Sequence, residues 1–191
     1  MRLYFGAEET KNRGNMGDFS GFIVPVFGIT GWKNSGKTLL TTRLIAHFTQ
    51  KGLRVGAIKH AHHSFEIDHE GRDSYRMREA GARQIAVVSK FRWAMVCELE
   101  PEPEPHFETI LEQFKGFDLV LAEGYKQLAF PKIEARSSFQ ETRQMLAEDR
   151  EDIIAVASDD EAHSAGLPVF PPDDIEVIAG FIAQKLDLKM G

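Results

Sequence analysis

Apolar residues in this chain fall into short runs that alternate with segments of helical period, and glycines, prolines and acidic residues mark the breaks between them. Residues 23–30, 117–123 and 153–159 are almost continuously apolar until their last positions, the pattern of strands covered on both faces. Residues 53–59 predict a second strand after the first, 132–135 a shorter one, and 167–170 a last short one. Between them, residues 39–48, 107–114 and 174–186 carry apolar positions at the spacing of a helix buried on one side. A short helix is predicted from Asp73, as N-cap, through Ala80, with Gly81 at C′. Residues 84–89 and 93–98 are β-rich and joined by Lys90-Phe91-Arg92, which predicts a hairpin. Glu100-Pro101-Glu102-Pro103-Glu104-Pro105 can be neither helix nor central strand and reads as an extended acidic spacer. The alternation predicts an α/β fold: a largely parallel sheet covered by helices on both faces, plus the hairpin, with its sites at the C-terminal ends of the strands. Residues 1–21 are polar and aperiodic, and read as a poorly ordered leader ahead of one domain spanning 22–191.

The pattern narrows further at the end of the first strand. Gly31-Trp32-Lys33-Asn34-Ser35-Gly36-Lys37-Thr38 satisfies every fixed position of G-x-x-x-x-G-K-[ST], with a strand before it and a helix after it. This is the phosphate-binding loop of a P-loop nucleoside triphosphatase. Gly31, Asn34, Ser35 and Gly36 let the backbone curl so that successive N–H groups face the phosphates, and the helix N-terminus adds its partial positive charge. Lys37 is expected to reach the β- and γ-phosphates, and the Thr38 hydroxyl to bind Mg²⁺.

Such a site needs a carboxylate at the end of a neighbouring strand, and Glu123, followed by Gly124, stands there; Asp118 lies at the other end and reads as a turn or solvent residue. Asp159, just past another strand, has the placement of an acid that accepts hydrogen bonds from guanine N1–H and its 2-amino group. The fuller N-K-x-D pattern is absent, Asp160 is an equally acidic neighbour, and an ordinary strand-to-loop aspartate stands as the other reading.

The loop after the second strand, residues 59–76, holds four of the seven histidines. Lys59, His60, His62, His63 and Arg76 can recognise an anionic second ligand, the histidines can bind a metal, or they can be merely solvated; Asp68 is a candidate for the Mg²⁺ shell. Interleaved Lys and Arg favour the anion over a second cation.

Composition bounds the partners. A net charge of -6 and a pI near 5.7 argue against nucleic acid or an anionic membrane as the main partner. Cys97, the single cysteine, excludes an internal disulfide and reads as a small buried hydrophobe in a strand. No secretory pattern opens the sequence, and the apolar stretch at 22–32 is too short to span a bilayer, so the expected location is cytoplasmic.

Taken together, G-W-K-N-S-G-K-T from Gly31, K-H-x-H-H-x-F-x-x-D from Lys59 to Asp68, G-x-D-S-x-R-x-x-x-A-G-A from Gly71 to Ala82 and A-E-G-Y-K from Ala122 to Lys126 resemble the molybdopterin-guanine dinucleotide biosynthesis protein B (MobB) family across residues 26–186. The resemblance implies a dimeric GTP-binding protein with weak hydrolysis, acting beside the nucleotidyltransferase MobA that joins GMP to molybdopterin. It also implies phosphate and Mg²⁺ binding by Lys37 and Thr38, Glu123 as the Walker B acid, and a histidine loop facing molybdopterin, its guanine dinucleotide or a phosphate. The absence of an evident arginine finger or water-orienting glutamine fits slow turnover. Edge pairing of the 84–98 hairpin offers a route to the homodimer. Three rivals are a non-catalytic nucleotide and pterin adaptor, a metallochaperone GTPase that uses the histidine loop, and a small-molecule kinase. The second lacks C-x-x-C or Cys-Pro-His signatures, and the third lacks an arginine-rich lid.

Overall fold

The computed structural model describes residues 22–61, 65, 68–99, 103–160 and 165–189. In chain order the elements are β1 (Val26–Thr30), α1 (Lys37–Gln50), β2 (Val55–Lys59), α2 (Asp73–Glu79), β3 (Gln84–Val88), β4 (Trp93–Cys97), α3 (Phe107–Leu111), β5 (Leu119–Glu123), β6 (Lys132–Ala135), β7 (Ile153–Ala157), β8 (Val169–Phe170) and α4 (Ile175–Lys185). Six strands form one sheet in the order β2-β5-β1-β6-β7-β8, and every pairing in it is parallel.

Alternate residues of these strands feed two cores, as the two-residue period of a strand requires. On one face Phe27, Ile29, Leu119, Leu121, Ile133, Ala155 and Ala157 pack with Leu40, Leu44 and Phe48 of α1 and Ile178, Ala179 and Ile182 of α4. On the other, Val26, Ile58, Val120 and Ala122 pack with Phe107 and Leu111 of α3 and with Phe130. Registers Ile29↔Glu123, Lys59↔Glu123 and Thr30↔Glu134 align the C-terminal ends of β1, β2, β5 and β6 along one rim. This rim is where the P-loop leaves the sheet.

Several elements differ from expectation in instructive ways. The helix at 107–114 is α-helical only to Leu111 and tightens into a 3₁₀ turn at Glu112–Phe114, before Gly116 reverses the chain at φ 83°. In α2 the N-cap position is Arg72, so Asp73 is already inside the first turn, where its charge still suits the helix dipole. Gly81 does sit past the helix end, at φ 98°, with its N–H donated to Arg78 O at 2.8 Å.

Asp118 is more than a solvent residue, since its Oδ2 accepts the Arg54 N–H at 2.6 Å and ties the starts of β2 and β5. Cys97 is exposed, not buried, because β3 and β4 pair only with each other as a separate two-stranded sheet. Among the described residues, no helix is long and apolar enough to cross a membrane. Residues 1–21, read above as a leader, lie outside those described, as do positions 100–102 of the acidic spacer.

Sequence gave no warning of Lys132, which is 0% exposed inside β6. Its ammonium donates to Asp152, to Leu128 O and, at 3.3 Å, to Phe130 O, while Arg150 donates to the same carboxylate. Gly28 in β1 makes this possible: a Cβ there would lie 2.5 Å from Lys132 Cγ and 2.7 Å from the Phe130 ring. Burial lowers the Lys132 pKa, and the Asp152 hydrogen bond and charge oppose the shift.

Candidate functional site

At the end of β1 the chain turns through Gly31 at φ 144°, where a Cβ would stand 2.4 Å from Ala135 O and 2.5 Å from Ser35 Oγ. Asn34 (φ 62°) and Gly36 (φ 86°) also adopt left-handed backbone, and Gly36 occupies the N-cap of α1. No side chain caps that helix and no acid lies in its first turn, so its leading N–H groups and dipole face outward. The Oγ atoms of Ser35 and Thr30 are buried there without a hydrogen-bond partner among the described residues. Together these features make a preformed anion cradle.

Four side chains converge on its mouth. Thr38 Oγ1 donates to Glu123 Oε1 at 2.9 Å, and Lys59 Nζ lies 3.1 Å from the same oxygen and 3.3 Å from Thr38 Oγ1. Glu123 is only 6% exposed, so its charge acts at short range and is poorly screened. Lys37 Nζ donates to Trp32 O at 2.6 Å. Burial pulls the Lys37 ammonium below the ordinary lysine range; Glu123 opposes that shift, and Lys126 and Lys59 add to it.

A threonine hydroxyl beside a buried carboxylate is the donor set that Mg²⁺ accepts when phosphates and waters complete its octahedron. Thr38 and Glu123 are the residues that would hold the ion there. Among the described residues, no group of three or more His, Cys, Asp or Glu forms a metal site, and Mg²⁺ at a P-loop needs none.

A second region lies beyond β7. Asp159 lines a cleft of about 160 Å³ with Arg136, Ser137, Gln140, Arg143 and Asp160. Both acids considered as the base reader therefore reach the same cleft. Its wall is anchored from β6: Glu134, 0% exposed, accepts from Arg136 at 3.1 Å and from Ala147 N at 2.9 Å, and Arg136 donates onward to Arg143 O and Gln144 O. Trp32 of the P-loop is tied to the same segment through Nε1 to Gln144 O at 2.8 Å.

The structure divides the histidine loop. Lys59, the last residue of β2, points to the P-loop, and His60, the first residue past the strand, points away. Its ring packs at a tilt against Tyr125, with centroids 4.8 Å apart, and its Nε2 lies 3.2 Å from Glu104 Oε1. His60 therefore lies on the side of Tyr125 and Glu104, apart from the P-loop mouth that Lys59 faces.

Asp68 is likewise placed elsewhere than the Mg²⁺ shell. It accepts from Ser74 Oγ at 2.7 Å and lines a cleft of about 130 Å³ with Arg78, Ile85, Val87, Ala94 and Val96, because the chain has by then moved to α2 and the hairpin. Arg76 is exposed on α2. His62 and His63 lie outside the described residues.

Lys126 went unassigned from sequence, although it closes the A-E-G-Y-K run. Its Nζ sits 3.9 Å from the Trp32 ring centroid, and burial lowers its pKa against the opposing charge of Glu134. Only the tertiary turn after β5 brings it there.

Residues 26–159 match the family model described as MobB, molybdopterin guanine dinucleotide synthesis protein B. The chain is 42% identical over 137 residues to the molybdopterin-guanine dinucleotide biosynthesis adapter protein of Haemophilus influenzae, covering 71% of this chain and 75% of that one. To the protein of the same name from Escherichia coli it is 33% identical over 172 residues, covering 88% and 97%. Among solved structures, Bacillus subtilis MobB superposes with a TM-score of 0.65 at 28% identity, over 85% of this chain and 98% of that one. P-loop architecture, site geometry and sequence thus agree, and the chain belongs to the MobB, molybdopterin guanine dinucleotide synthesis protein B, family.

Proposed function

We propose that this protein is a GTP- and Mg²⁺-binding adapter that assists the formation of molybdopterin guanine dinucleotide beside a MobA-like guanylyltransferase, with at most slow GTP hydrolysis. The observation that carries the reading is the buried Glu123 carboxylate hydrogen-bonded to Thr38 at the mouth of an uncapped, acid-free helix N-terminus. Guanine specificity is assigned to Asp159 in the cleft beyond β7, whose polar walls suit a base edge. Slow turnover is supported by the described groups at the mouth, Lys37, Thr38, Lys59, Glu123, Trp32 and Lys126, none of which is an arginine finger or a water-orienting glutamine. The relatives are named adapter proteins, which favours a binding role over rapid turnover.

The pterin is assigned to the loop after β2, with Lys59, His62 and His63 as its anion-recognising groups. The homodimer is assigned to the hairpin, where Val87, Val88, Phe91, Trp93 and Met95 are exposed. Calorimetric titration with GTP, GDP and ATP in Mg²⁺ tests the core of the proposal, with single-turnover assays measuring hydrolysis. Stoichiometric, Mg²⁺-dependent GTP binding that Lys37→Ala abolishes is expected. Equal affinity for ATP, or undiminished binding by Lys37→Ala, would overturn it.

A further inference from the structure

The turn after β5 carries a cation that the function above does not use. Gly124 and Tyr125 have φ of 99° and 28°, so the chain doubles back at the sheet's rim and sets Lys126 Nζ 3.9 Å from the centroid of the Trp32 ring. Trp32 is the first variable residue of the P-loop, and its carbonyl oxygen holds Lys37 Nζ at 2.6 Å. A P-loop lysine reaches the β- and γ-phosphates, so the atom that parks Lys37 marks that end of the cradle. Lys126 stands on the same residue. The ring beneath it is itself fixed, because Nε1 donates to Gln144 O at 2.8 Å.

The charges around this point are out of balance. Lys37 feels repulsion from both Lys59 and Lys126. Among the described residues, the acids nearby have other partners as well: Glu123 is engaged by Thr38 and Lys59, and the fully buried Glu134, whose charge also acts on Lys126, by Arg136 and the Ala147 N–H. Three ammonium groups therefore border a cradle in which a polyanion is the missing partner.

We propose that Lys126 is a further phosphate-binding residue of this site, supplied in cis from the turn after β5 and held in readiness on the Trp32 ring, and that it engages the terminal phosphate of a bound nucleoside triphosphate. The proposal rests on the nucleotide-binding reading of the P-loop and deepens it. A triphosphate draws Nζ from the ring to a non-bridging oxygen, exchanging a cation–π contact for a charge-assisted hydrogen bond. A diphosphate has no γ-phosphoryl oxygen to offer. Lys126 thus distinguishes the two, and Trp32 changes environment only with the triphosphate.

The experiment measures GTP and GDP affinity in Mg²⁺ by titration calorimetry for the unaltered protein, Lys126→Ala, Lys126→Arg and Lys37→Ala. A parallel set in a Trp93→Phe background leaves Trp32 as the sole tryptophan, so its emission reports the ring. Lys126→Ala is expected to weaken GTP roughly tenfold to a hundredfold while GDP stays within about twofold. Lys126→Arg is expected to restore most of the loss, and the Trp32 emission change on adding GTP to disappear in Lys126→Ala. Retained GDP binding certifies that the variant is folded. Equal weakening of GTP and GDP, or no weakening of either, overturns the role of Lys126 while the P-loop reading stands. Failure of the unaltered protein to bind either nucleotide, or full binding by Lys37→Ala, overturns both.

Discussion

Replacing Glu123 by glutamine separates the site's binding chemistry from its contribution to the fold. The carboxylate is 6% exposed, and its charge faces Lys59, whose side chain is 61% exposed. A pair with one end in water contributes only about 0–1 kcal/mol, and removing the Glu123 charge also removes the cost of holding it away from water. Glutamine keeps an amide oxygen to accept from Thr38, so the Thr38 hydroxyl keeps its acceptor. The net change in stability is therefore expected within about 1 kcal/mol, or roughly 2–4 °C in Tm for a domain of this size.

Binding responds differently. In the proposed reading the carboxylate orients the Mg²⁺ hydration shell, and losing one charge-assisted hydrogen bond in a poorly solvated site costs about 1.5–3 kcal/mol. Mg²⁺-dependent GTP affinity should thus fall roughly tenfold to a hundredfold, while affinity measured in EDTA changes little. Thermal unfolding and calorimetric titration, each with and without Mg²⁺, provide the check. A Tm drop well beyond that range would show Glu123 to be a structural residue, and unchanged Mg²⁺ dependence would refute its assignment to the ion's shell.

Gly31→Ala should destabilise the protein by several kcal/mol as well as impair nucleotide binding, since its Cβ would meet Ala135 O at 2.4 Å at a φ of 144°; denaturant unfolding at matched m-values measures this, and near-unchanged stability would show that the loop relaxes freely. Because burial lowers the Lys37 pKa in the free protein, its ammonium deprotonates at a lower pH than an ordinary lysine, and a bound triphosphate restores the charge. GTP binding should therefore take up a proton on the alkaline side, with affinity falling as pH rises through that lowered pKa. Titrations in buffers of differing ionisation enthalpy detect the uptake, and its persistence in Lys37→Arg would assign it to another group. Asp159→Asn should weaken GTP and favour xanthosine triphosphate, whose 2-oxo group accepts where guanine donates; an unchanged preference in competition binding would move base recognition to Asp160 or elsewhere.

What can be read from sequence alone here is what depends on near neighbours in the chain. The P-loop was legible because its geometry is set by eight contiguous residues between an apolar run and a helical one. The parallel sheet was legible because buried strands carry continuous apolar runs, and the hairpin because two β-rich segments flank a short link. Glu123 could be anticipated by position, since it ends a strand beside β1, and the register Ile29↔Glu123 puts it there.

Everything that depended on direction through space was decided by the tertiary structure. Lys59 and His60 are adjacent in sequence yet have different surroundings, Lys59 at the P-loop mouth as the last residue of β2 and His60 beside Tyr125 and Glu104 just past it. Asp68 follows soon after them but belongs to the cleft of α2 and the hairpin. Cys97 has the composition of a core strand around it, and is exposed because its strand pairs only within the hairpin. Lys132 is buried because Gly28 leaves it room and Asp152 meets its charge. Lys126 reaches Trp32, 94 positions earlier in the chain, through a left-handed turn at Gly124 and Tyr125. Local periodicity specifies which elements form; packing parity, turn conformation and charge compensation determine which side chains share a site.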